Sequence, residues 1–148
     1  MRKLIVSLLA VSLLVVLPAA AVSQAEWDAV KAAEAKKAKD FAGYKTVKAQ
    51  AEAAEAAGDW VVASDLHIAA AQGAHCNRGD TGWVKAWRLN SAAWCLIKAN
   101  EKKGYSTEVD TLERILALLA KARAAGPNKK CLAKIERNES WAQERLPK

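Results

Sequence analysis

Few side chains in this sequence have types and spacings that bear on chemistry: three cysteines, two histidines and six tryptophans. His67 and His75 stand eight residues apart, not the four that set two imidazoles on one helical face, and Cys76 has no second cysteine close by. No metal is expected from that pattern. Haem attachment needs C-x-x-C-H, a phosphate cradle needs a glycine-rich loop, and a serine hydrolase needs a G-x-S-x-G elbow, and none of these occurs. Asp59 and Asp65 read as a helix cap and part of a solvated face, not as a paired acid and base. The sequence therefore argues against an enzyme and against a cofactor.

Trp83, Trp87 and Trp94 are spaced by four and by seven residues, so at about 100° per residue they form one narrow stripe. Core packing is one role for such a stripe. An aromatic shelf for a peptide or glycan, with Arg88 and Lys98 beside it, is the other. Of the three rings, Trp94 is placed to reach a binding groove.

These residues need helices to position them. Ala51 to Ala57 reads as a helix ending, Gly58 as a left-handed stop, and Asp59 as the side-chain cap of the next helix. Trp60 wedges between the two, and Ala63 and Ala70, on one face, allow close approach. This is an antiparallel helical hairpin. Before it, Ser23 and Glu26 form a capping box for a helix carrying Trp27 and Val30, which Gly43 is expected to break near Asp40, the second helix then running from Tyr44 to Ala57. After it come a loop over His75 to Gly82, a helix from Trp83 to Lys103 stopped by Gly104, and a helix capped by Ser106 or Thr107. That helix carries Val109, Leu112, Ile115, Leu116, Leu119 and Ala122 at helical spacing and ends at Gly126-Pro127. Asn128 caps a last helix with Leu132, Ile135 and Trp141 facing inward. Few β-branched runs follow residue 22, and the expectation is an all-α protein of five to six helices in one domain.

The N-terminus has its own logic. Met1-Arg2-Lys3, the apolar run Leu4 to Leu17 and the exit Pro18-Ala19-Ala20-Ala21 have the layout of a secretory signal peptide over residues 1–21. Cleavage after Ala21 satisfies the small-residue rule better than cleavage after Ala25. The run is short for a membrane anchor, which needs about 20 apolar residues. The mature part, 22–148, is then periplasmic or secreted. Without Arg2 and Lys3, 21 of the 23 basic residues remain against 16 acidic ones, a net charge of +5. That charge suits solubility and also an anionic membrane surface or cell envelope. Lys129, Lys130, Lys134 and Arg137 make the last helix basic, but Glu136 and Glu139 dilute it, and no nucleic-acid partner is expected of an exported chain.

Three cysteines in an exported chain imply one disulfide and one spare thiol. In a stack of hairpins, Cys76 and Cys131 lie at the same end of the molecule. Cys95, twelve residues into its helix, is about 18 Å from that end. The expected pair is Cys76–Cys131, with Cys95 buried and free.

The spacing Ala51, Gly58, Ala63, Ala70, with Trp60 after the turn, resembles the small-residue framework of a tetratricopeptide repeat. A second, degenerate unit runs from about Ala92 to Pro127, with about six residues inserted after Gly104 and with Leu112, Ile115 and Leu119 filling its second helix. Gln50 stands where the family prefers leucine. The resemblance implies a short α-solenoid, with residues 44–127 as repeat-like core and 128–146 as capping helix. It also implies a protein or peptide partner held by the first helix of each pair, through Lys45, Lys48, Ser91, Trp94, Lys98 and Glu101. Glu52 stands where a carboxylate-clamping member carries asparagine, so that mode is not implied. An envelope-polymer binder, or a small enzyme of unrecognised type, is the alternative.

Overall fold

The computed structural model describes residues 24–102 and 108–147. Residues 1–21, expected to be a signal peptide, and Ser23, Lys103, Gly104, Ser106 and Thr107 lie outside the described residues. Five α-helices account for nearly all of the rest: α1 (Gln24–Ala57), α2 (Trp60–Gln72), α3 (Gly82–Lys102), α4 (Val109–Ala124) and α5 (Lys129–Gln143). Two short 3-10 turns, Ala74–Asn77 and Gly79–Thr81, connect α2 to α3. Among the described residues there is no strand, and no helix is long and apolar enough to cross a membrane.

The hinge between α1 and α2 forms as its residues dictate. Gly58 takes φ +76°, and its N–H donates to the Glu55 carbonyl at 3.0 Å while Asp59 N–H donates to the Ala54 carbonyl at 2.9 Å. Those two bonds are the left-handed helix stop that satisfies otherwise orphaned carbonyls. The side-chain cap expected of Asp59 does not form; its backbone carbonyl accepts from Ala63 N–H instead, at 2.9 Å. At the other end of the chain, the cap does form as its type predicts: Asn128 Oδ1 accepts the Cys131 N–H at 2.9 Å.

The expected break at Gly43 is absent, and α1 runs unbroken for 34 residues. An exposed helical glycine costs about 1 kcal/mol, less than closing one helix and nucleating another. Residues 24–25 and 27–39 of α1 are exposed, Trp27 at 53% and Val30 at 47%, so its contribution to the fold begins near Asp40.

The helices pack in chain order: α2 lies between α1 and α3, α4 lies between α3 and α5, and α5 also rests on α3. The main core joins Leu89, Leu96 and Ile97 of α3 to Leu112, Ile115 and Leu119 of α4 and Ile135 of α5. A smaller cluster, Ala54, Ala63 and Cys95 with Trp60 and Trp94, sits where α1, α2 and α3 meet. Ala51, Ala63 and Ala70 are buried, which lets these helices approach closely. Val109, read as a core position, is 42% exposed, and Leu118 takes a buried place that the spacing did not assign.

The Cys76–Cys131 disulfide is not formed. Cys76, Cys95 and Cys131 are all free, buried thiols. The reason is topological. The turn holding Cys76 packs against α1, α2 and α3, whereas α5 packs against α3 and α4, so α3 stands between the two cysteines. The buried, free state expected of Cys95 holds.

Candidate functional site

Helix α3 carries its aromatic stripe along the margin of the core: Trp83 is 51% exposed, while Trp87 and Trp94 are half-buried and pack against the core clusters. The Trp94 ring meets Trp60 edge-on at 5.5 Å, an arrangement favoured by the ring quadrupoles. Lys98 Nζ lies 5.8 Å from the Trp94 ring centre and is ion-paired to Glu101. From α5, Lys134 Nζ lies 5.2 Å from the Trp87 centre, and from the turn that follows α5 the Arg145 guanidinium lies 4.2 Å from the Trp141 centre. Asn138 ties α5 to α3 by donating to Asn90 Oδ1 at 3.1 Å within the protein.

Two adjoining clefts open between α3 and α5, and Trp94, Arg137 and Asn138 line both. The first adds Trp87, Ser91 and Lys134; the second adds Lys98, Glu101 and Trp141. A third cleft, between α1 and α3, is lined by Phe41, Tyr44, Lys48, Trp83, Trp87 and Arg88 among others. It meets the first at Trp87. Phe41, Tyr44 and His75 cluster on its wall, with centroid separations of 4.9 to 6.3 Å.

Of the six residues assigned to binding from the sequence, Ser91, Trp94, Lys98 and Glu101 fall together in the α3–α5 clefts. Lys48 is on the α1–α3 cleft and is paired with Glu52 at 2.9 Å. Lys45 lines none of the three and sits 5.6 Å from the Phe41 ring centre. The α5 half of the groove, Lys134, Arg137, Asn138 and Trp141, escaped the sequence reading, which treated that helix as a solvating cap. Its basic residues were visible; the register that turns them toward α3 was not.

A second constellation lies beneath the groove. His67, 1% exposed, approaches Glu55 with Nε2 at 2.6 Å from Oε1, and the Cys95 thiol donates to the same oxygen at 3.5 Å. Arg88 Nη1 lies 3.4 Å from His67 Nδ1. Arginine can only donate, so Nδ1 accepts and the imidazole proton sits on Nε2, where it donates to Glu55. Burial pushes the His67 pKa below its ordinary value, against the pull of the Glu55 hydrogen bond. Burial, reinforced by the Glu55 carboxylate, pushes the Cys95 thiol up to about 12. A thiol held neutral in this way is no nucleophile. The three residues lie on α1, α2 and α3 and are 12 and 28 positions apart in sequence, a separation at which no local spacing signals a site.

No protein-family model, curated protein or solved structure matches this chain.

Proposed function

We propose that this chain is an exported, tetratricopeptide-like adaptor that captures a protein or peptide segment in the groove between α3 and α5, with no catalysis of its own. One observation carries the reading. Trp87, Trp94 and Trp141 line adjoining clefts, and each carries a lysine or arginine over its ring. Aromatic faces supply contact area at small entropic cost, and the cations beside them favour carboxylates. A segment bearing acidic residues beside an apolar or aromatic anchor fits that surface.

Three features support the solenoid part of the reading: the glycine hinge, the buried small residues Ala51, Ala63 and Ala70, and clefts lined mainly by α1, α3 and α5, the alternate helices of the stack. Export rests on the pattern of residues 1–21. The raised Cys95 pKa favours the non-catalytic reading, since a buried neutral thiol is inert.

The test is capture from a random peptide library and from an envelope glycan preparation. Wild type is expected to enrich acidic, aromatic-containing peptides. Trp94→Ala with Arg137→Ala should weaken capture at least tenfold, the effect of losing about 1.4 kcal/mol, at unchanged helical content. Retention on glycan with no peptide enrichment sinks the adaptor reading and favours the polymer binder.

A further inference from the structure

We propose that Glu55, His67 and Cys95 form a structural binding site for a zinc-class divalent ion. Their ligand atoms, a carboxylate oxygen, an imidazole nitrogen and a thiol sulfur, all lie within 4.8 Å of one another. That spread is compatible with one ion holding oxygen and nitrogen at about 2.0–2.2 Å and sulfur at about 2.3 Å. The donor set is mixed and partly soft, which selects zinc over calcium or magnesium. Its two anionic ligands neutralise a doubly charged cation inside the protein, where an uncompensated charge is costly.

Three further observations bear on the site. Each ligand comes from a different helix, so the rigid hairpin and α3 bring the donors together before any ion arrives. Glu55, at 27% side-chain exposure, also lines the α3–α5 cleft and provides the route of entry. Ser64, one turn before His67 on α2, is fully buried, and its hydroxyl has no partner among the described residues. Three residues before His67, it lies on the same side of α2 as that ligand.

Loading has a definite proton balance. The Cys95 thiol forms a sulfur–metal bond and releases its proton to solvent. His67 Nε2 gives its lone pair to the ion, and its proton is carried on Nδ1. Arg88, which faces Nδ1 and can only donate, then turns away. It already lines the α1–α3 cleft, and its Nε is buried without an acceptor, so this move abandons one long contact. The loaded ion ties α1, α2 and α3 to one point.

The test uses the whole chain, stripped with chelator, kept reduced, and titrated with cobalt(II) alone at neutral pH. A thiolate-to-cobalt charge-transfer band should saturate at one equivalent, be erased by added zinc, vanish in Cys95→Ser and His67→Gln, and persist in Cys131→Ser. No band, or a band that survives Cys95→Ser, overturns the proposal. Should Cys95→Ser fail to fold, the double variant Cys76→Ser with Cys131→Ser, whose one remaining thiol is Cys95, decides: the band is expected to survive at one equivalent, and its loss in the folded double variant overturns the site.

Discussion

Buried thiols set how the folded chain responds to alkali. Burial raises the Cys131 pKa above its ordinary value, and does the same at Cys76 against the opposing charge of Arg88. Free thiols in the unfolded chain ionise near about 8.5. Below that pH both states keep the proton and the stabilising contribution is whole. Above it the unfolded chain sheds protons that the folded chain retains, so stability falls as pH rises towards the folded values. Urea midpoints should therefore drop between about pH 8 and about pH 10, and Cys131→Ala should make that drop shallower. Asn138 makes a separate case. Its truncation in Asn138→Ala strips Asn90, 4% exposed, of the donor it accepts from, at a cost of about 1–3 kcal/mol in the same measurement. Residue type alone identified Asn128 as a cap, because a cap follows from local position; the buried, free state of Cys95 was read from its depth along a helix in a stack of hairpins. The meeting of Cys95 with Glu55 and His67 was not legible, because only the packed fold creates it.

At the scale of elements, three glycines are expected to respond to alanine in different ways. Gly43 sits in mid-helix with nothing within 4 Å of the added methyl, so Gly43→Ala should stabilise by about 0.5–1 kcal/mol. Gly58 holds φ +76°, and Gly58→Ala should cost about 1–2 kcal/mol. At Gly82 a Cβ would stand 2.4 Å from the Ala125 carbonyl oxygen, so Gly82→Ala must push the start of α3 away from the end of α4, a loss of about 1–3 kcal/mol. Denaturant midpoints at constant m-value separate the three. The hinge at Gly58 was legible because helix stop, turn and helix start are all local. The run of α1 through Gly43 was not: the residue has breaking propensity, and the outcome turned on the larger cost of starting a new helix. The disulfide failed for a related reason. A stack of parallel alternate helices brings their ends level, but α3 intervenes between Cys76 and Cys131.

At the scale of the molecule, the five helices of the described residues form a chain-ordered stack with an extended aromatic and basic surface, running from Phe41 on α1 over Trp87 on α3 to Trp141 on α5. The α3 half of that surface was legible as a four-and-seven spacing of tryptophans. The α5 half was not, because helix-to-helix register depends on core contacts such as Ile115 and Ile135 that no single segment reveals. The tetratricopeptide-like adaptor reading turns on that surface being where a partner docks. The most direct measurement is a nitrogen-15 spectrum of the folded chain, taken with and without an acidic, aromatic peptide selected by capture. The indole signals of Trp87, Trp94 and Trp141 should shift together and saturably, while that of Trp27, on the exposed start of α1, stays in place. Shifts confined to the cleft at Gly58–Val62 beside Lys102, or to Trp27, would contradict the account.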